Sequence, residues 1–161
     1  MIFGKPVPTE ELEKNLDKAS DVISLISCQA CARGSGYSGP DQMKDLALQL
    51  RADGYDVKDG FLILYVCTPK VLFAKLDKEV NTVISMSCGA GADMVTRSFP
   101  NVKKVIGSAE DVGLVAGSTA KGLLKVTMPY ADFKEEKGKE FGMGVGDKKD
   151  THNGLLGEGE K

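Results

Sequence analysis

DVISLISCQACARGSG, residues 21 to 36, is the stretch on which the fold turns. Its first half is a short β-branched run bounded by polar residues, the pattern of a strand buried on both faces. Its second half carries two cysteines two residues apart, Cys28 and Cys31, followed by a glycine-rich turn. A buried strand ending on a cysteine raises two questions: how many more such strands the chain holds, and whether other cysteines end them.

Upstream, after the turn-like KPVP, TEELEKNLDKA predicts an amphipathic helix. Thr9 is its N-cap, Glu10 and Glu11 stand early, Leu12 and Leu16 are its apolar positions, and it ends near Ser20. Downstream, Asp41 is placed to cap DQMKDLALQLRADG, in which Met43, Leu46, Leu48 and Leu50 recur at helical spacing before Gly54. FLILYV then predicts a second strand ending at Cys67, and TPKVLFAKLDKE a third helix, with Pro69 in its first turn. VNTVISMS predicts a third strand ending at Cys88, GAGADMVTRSFPN a helix closed before Pro100, and KKVIGS a fourth strand. Strand, loop and helix thus repeat, and strands apolar on both faces call for a parallel sheet covered by helices. The expected class is α/β, a Rossmann-like or flavodoxin-like three-layer domain with a short parallel sheet. The ISC of residues 26 to 28 and the MSC of residues 86 to 88 place cysteines at equivalent edges of that sheet.

The chain has 161 residues, the usual size of one domain. The expected division is an α/β four-cysteine domain over 1–128 and, over 129–161, a charged, glycine-rich extended C-terminal tail, disordered alone or wrapped on a partner. A net charge of -2 supplies no field for nucleic acid or an anionic membrane. The longest apolar stretches fall well short of the roughly 20 residues that span a bilayer, and MIFGKPVPTEELEK is too acidic for a secretory signal, so the expected location is cytoplasmic. Four cysteines in a reducing cytosol point to metal ligands or redox thiols and away from structural disulfides.

In open parallel sheets ligands collect outside the carboxyl ends of the strands. Cys28, Cys67 and Cys88 stand at three such ends and Cys31 one turn beyond the first, so all four are expected to meet at one edge. Four thiolates suit a structural zinc or a [4Fe-4S] cluster. The small residues in CQACARGSG and SCGAGAD leave backbone N–H groups free to bond sulfide, which inclines the choice to the cluster. Two other readings stand beside the shared centre: a thioredoxin-like dithiol of Cys28 and Cys31 alone, against which the loop ARGSGYSGP counts, and ordinary buried thiols.

KPVPTEELEKNL, VISLISCQACARGSG, the cysteine after the second strand and VISMSCGAGADMVTRSFPNV together resemble the MetV-type family, the small accessory subunits of acetogen-type methylenetetrahydrofolate reductases, also found as the C-terminal domain of some reductase chains. The likeness covers roughly residues 4 to 122. It implies a metal-binding partner of the flavin-carrying barrel subunit that reduces methylene-tetrahydrofolate in one-carbon metabolism. It also implies that Cys28, Cys31, Cys67 and Cys88 hold the centre, that further electron-transfer subunits can join the complex, and that catalysis lies on another polypeptide. Members often carry a further cysteine shortly after the C-x-x-C pair, where this chain reads ARGSGYSG.

Other features read more plainly. GAGAD at 89 to 93 could cradle a phosphate, but the full dinucleotide fingerprint is missing and Cys88 precedes it, so a loop shielding the centre accounts for it better. GSTAKG at 117 to 122 is a turn or a lid, and His152, the sole histidine, lies in the polar tail, which removes any histidine-based triad. Lys44, Arg51, Lys75 and Lys78 are expected on solvated faces, and Glu10, Glu11 and Glu13 as helix-start charges. Tyr37 either covers the centre or packs in the core, and an exposed apolar patch is expected near the cysteine loops.

Overall fold

A computed structural model describes residues 1–118 and 120–144. The fold is mixed α/β and contains two four-stranded sheets. The first is wholly parallel and holds β2 (Val22–Cys28), β3 (Asp56–Ile63), β4 (Thr82–Met86) and β5 (Lys104–Gly107), in the order β3-β2-β4-β5. The chain steps outward from β2 to β3, returns to the far side of β2 as β4, and continues to β5, so strand order reverses between β2 and β4.

Both faces of this sheet are covered, as the apolar runs require. Ile23 and Leu25 of β2 and Ile84 of β4 face a cluster closed by Leu50 and Leu46 of helix α3 (Pro40–Ala52). Ile26 and Cys28 of β2 and Val83 of β4 face the opposite cluster, which contains Val95 of helix α4 (Gly89–Ser98). Helix α3 begins with Pro40 at its first position and Gly39 at the cap, so Asp41 sits inside the first turn instead of capping it.

Three sequence-based boundaries shift. The first helix, α1 (Thr9–Glu13), follows Pro8 and is one turn long. Asp17 then accepts hydrogen bonds from the Ala19 N–H at 2.9 Å and the Ser20 hydroxyl at 2.8 Å, a local turn that competes with continued helix. The second parallel strand begins and ends earlier than FLILYV, so Cys67 lies in the turn beyond β3 and not at a strand end. The expected helix over 68–79 contracts to a 3-10 turn, Pro69–Phe73, which buries Val71 and leaves the backbone extended at Ala74.

The second sheet is antiparallel and was not expected. It is built from β1 (Ile2–Pro6), β6 (Ala109–Ser118), β7 (Leu123–Pro129) and β8 (Glu140–Gly142), in the order β1-β6-β7-β8. One face is buried: Phe3, Val112, Val115, Leu124 and Val126 form its core, joined by Phe133, Phe141 and Met143. Phe3 stacks on Phe141 with ring centroids 4.5 Å apart. The region taken as a tail from residue 129 therefore carries a 3-10 segment, Ala131–Glu136, and strand β8. Buried Glu136 is held by Lys5 at 3.0 Å and Lys139 at 3.2 Å. Residues 145–161, with His152, and Thr119 of GSTAKG lie outside the described residues.

The antiparallel sheet sits over the carboxyl end of the parallel one. Gly4 of β1 donates to the Ser35 hydroxyl, Gly144 donates to the Gly34 carbonyl, and Asp111 of β6 accepts from the Gly89 N–H. Among the described residues no helix is long and apolar enough to cross a membrane.

Candidate metal centre

The four cysteines are placed by four different pieces of backbone. Cys28 is the last residue of β2. Cys31 opens a single helical turn, α2 (Cys31–Gly34), so the stretch after the C-x-x-C pair is not all loop, and the objection to a dithiol loses that part of its force. Cys67 lies four residues past the end of β3. Cys88 caps α4 immediately after β4. All four are free thiols: Cys28 and Cys88 buried, Cys31 half-buried and Cys67 exposed.

The thiols bear on one another electrostatically. Burial raises the Cys28 thiol first, and the charges of Cys31 and Cys67 raise it further. Burial likewise raises Cys88, with added contributions from Asp111, Cys31 and Cys67. The backbone amides of Val66 and Ala30 beside Cys28, and of Gly91 beside Cys88, pull the other way, and the Gly91 N–H itself donates to the Cys88 carbonyl at 2.9 Å. Among the described residues no three His, Cys, Asp or Glu side chains are grouped so as to hold a metal ion. Cys28 ends a parallel strand and Cys67 and Cys88 each follow one, with Cys31 three residues beyond the first.

Small residues make this edge compact. A Cβ on Gly91 would meet the Ser87 hydroxyl oxygen at 2.4 Å and Val66 Cγ1 at 3.3 Å. One on Gly89 would meet the Asp111 carboxylate at 3.0 Å. The glycines of GAGAD therefore serve close packing of the first turn of α4 against β4 and β6, which is why a phosphate cradle is not needed to explain them.

Two residues complete the surroundings. Asp111, on the unexpected sheet, accepts the Gly89 N–H through Oδ2 at 2.8 Å, while its buried Oδ1 has no partner. Burial raises its carboxyl above the ordinary aspartate value and the Gly89 N–H pulls it back. Tyr37 is buried, its hydroxyl also lacks a partner, and burial followed by Cys88, Asp111, Cys28 and Cys31 raises its phenol. The sequence singled out Tyr37 by its nearness to the C-x-x-C pair, but Asp111 carries no motif and is found only through the second sheet.

The surface around Cys67 is apolar. Leu62, Leu64 and Tyr65 before it and Leu72 and Phe73 after it are exposed, Phe73 to 72%. Glu10 and Glu11 occupy the first turn of α1 as expected, and Lys44, Lys75 and Lys78 are exposed. Arg51 is not simply solvated: it donates to the Val57 carbonyl at 3.0 and 2.7 Å, tying the end of α3 to β3.

No family model, curated protein or solved structure matches this chain. The likeness to the MetV-type subunits therefore rests on the quoted residues alone.

The donor set nonetheless fits a soft metal group. Four free thiols offer the charge and softness that iron-sulfur clusters and zinc demand. Backbone amides beside Cys28 and Cys88 are of the kind that stabilises ligating thiolates.

Proposed function

We propose that this chain is an iron-sulfur accessory subunit of a methylenetetrahydrofolate reductase complex in one-carbon metabolism, itself non-catalytic, passing electrons to a flavin-containing catalytic partner. What supports the reading is that Cys28 and Cys31, Cys67 and Cys88 stand at or beyond the carboxyl ends of three parallel strands, β2, β3 and β4. Counted among themselves, the parallel strands run 2-1-3-4, the flavodoxin-like order short of its last strand, and ligands of such sheets lie beyond the first and third strands. Those strands are β2 and β4, which deliver Cys28 and Cys88.

Cys28, Cys31, Cys67 and Cys88 would hold the group. A [4Fe-4S] cluster, when bound, supplies one-electron transfer at a potential set by its surroundings. The N–H groups of Val66, Ala30 and Gly91 stabilise anionic sulfur at Cys28 and Cys88. Apolar Val66 and Ala32 exclude water from the Cys28 side. Cys67 marks the open side, and the exposed Leu64, Tyr65 and Phe73 beside it offer a partner an apolar contact next to the centre.

A stand-alone thiol oxidoreductase gains one observation, the helical turn that Cys31 opens. It is opposed by another, since burial pushes the Cys28 thiol up, away from reactivity. Anaerobic purification with iron, sulfide and zinc analysis and a visible spectrum tests the proposal. A brown protein with stoichiometric iron and sulfide, reoxidised by a flavoprotein reductase, supports it. Zinc alone makes the chain a structural adaptor, and no metal with a reversible Cys28–Cys31 disulfide makes it an oxidoreductase.

A further inference from the structure

Two buried polar atoms where the sheets meet have no hydrogen-bond partner: the Tyr37 hydroxyl oxygen and Asp111 Oδ1. The ladder between β1 and β6 makes them neighbours. Gly4 and Asp111 are direct partners in it, and directly opposed residues project from one face with Cβ positions about 4.5–5.5 Å apart. That face is turned away from the antiparallel core, because Phe3 and Val112, next along the two strands, fill the core on the other side. Gly4 has no side chain, and the Tyr37 ring takes its place: a Cβ there would meet Cε1 at 2.8 Å and the hydroxyl oxygen at 3.1 Å. The hydroxyl thus stands where the side chain opposite Asp111 would be, yet the two oxygens are not bonded to each other. A phenol donates and a carboxylate accepts, so the pair is complementary but open. Phenylalanine would fill the same space, with the ring only 5% exposed, without burying an O–H in need of an acceptor. Packing therefore does not account for the hydroxyl.

We propose that one buried water fills the gap, accepting the Tyr37 O–H and donating to Asp111 Oδ1, so that Asp111 ties together two cysteine-bearing segments. Water is the guest this pair selects: it accepts from the phenol and donates to the carboxylate, which a bare cation cannot do. The other carboxylate oxygen, Oδ2, takes the Gly89 N–H at 2.8 Å, next to Cys88. Tyr37 closes the segment that carries Cys28 and Cys31, and its N–H donates to the Ala32 carbonyl at 3.3 Å. One carboxylate on β6 thus holds the start of α4 through one oxygen and the C-x-x-C segment through the other. The Gly4 N–H, donating to the Ser35 hydroxyl at 3.3 Å, fastens the same segment from β1. The tie forms without metal and stands apart from the iron-sulfur reading.

A high-resolution crystal structure of the full chain is the first test. An ordered water within hydrogen-bond distance of both the Tyr37 hydroxyl and Asp111 Oδ1 is expected. An empty gap, or the two oxygens bonded directly, overturns the proposal. The second test is a double-mutant cycle of Tyr37→Phe and Asp111→Ala, read by the urea midpoint of unfolding. Tyr37→Phe removes only the hydroxyl, so it should lower the midpoint of the wild type. In the Asp111→Ala background, where no acceptor remains, it should leave the midpoint unchanged or raise it. An equal downshift in both backgrounds overturns the tie. Hydrogen exchange at the Gly89 amide should quicken in Tyr37→Phe, since the loss passes through Asp111 to α4. Unchanged exchange there overturns the joining of the two segments. Should Asp111→Ala fail to accumulate, the crystal structure and the exchange of Tyr37→Phe decide. Iron and sulfide content of the same samples judges the metal reading separately.

Discussion

The parallel sheet buries both faces and brings cysteines to the loops at its carboxyl edge, whereas the antiparallel sheet buries one face, carries no cysteine and still delivers Asp111 and the Gly4 shelf to the same place. One sheet carries the cysteines; the other closes over its carboxyl edge. The division follows from how each is built. Parallel strands must send their connections across the faces, so loops converge at one edge, while consecutive antiparallel strands fold back locally and can lie across that edge as a cover.

The largest expected effect separates donors from cover. Under the proposed shared centre, Cys88→Ser and Cys67→Ser should each abolish nearly all bound iron in anaerobically purified protein, despite the different exposure of the two thiols. Iron retained in Cys67→Ser would break the comparison by taking Cys67 out of the centre. The next effect probes the cover. Leu124 is fully buried in the antiparallel core, and Leu124→Ala should cost about 2–5 kcal/mol in denaturant unfolding and loosen iron retention along with it. Unfolding in two separate transitions, with iron held through the first, would show that the second sheet is no cover at all.

Gly91→Ala acts where the first turn of α4 meets Ser87 and the Val66 turn. Its added carbon meets Ser87 and Val66, so a cost of roughly 1–3 kcal/mol is expected, read as a lowered melting temperature. A neutral substitution would reopen the question of what the glycines of GAGAD do. The smallest effect lies at the opposite edge of the parallel sheet. Burial would raise Asp21, but Lys104 at 2.7 Å, the Asp17 N–H and Thr82 together hold it below the ordinary value of 3.8. A depressed carboxyl contributes stability above its unfolded value and loses it as pH falls through the folded one. Asp21→Asn should therefore cost about 1–2 kcal/mol at neutral pH, since Lys104 is partly solvated, and the gap to wild type should close as the solution is taken below pH 3.8 in acid titrations of stability.

The parallel half was largely legible because its signals are local. VISLIS and TVISM are too apolar for anything but doubly buried strands, and the leucines of α3 mark the helix that covers them. The edge strand misled for a physical reason: FLILYV is apolar, yet Leu62, Leu64 and Tyr65 face outward, so hydrophobicity there does not report burial and the strand ends before the run does. The antiparallel half left a weaker trace. In β7, Leu124 and Val126 point inward and Lys125 and Thr127 outward, a period of two that lasts only a few residues and is hidden among glycines and charges. The site was legible in the same measure. Cysteine spacing put forward the four candidate donors, while Asp111 reaches the loop after Cys88 through a sheet pairing that no local pattern encodes.

Native mass spectrometry of the anaerobically purified full chain, beside the same sample after acid removal of metal, tests the shared centre most directly. One species heavier by a single four-iron, four-sulfide cluster, collapsing to the bare chain with four alkylatable thiols, is the result expected. A bare chain from the outset, or one lighter by the two hydrogens of a Cys28–Cys31 disulfide, would contradict it.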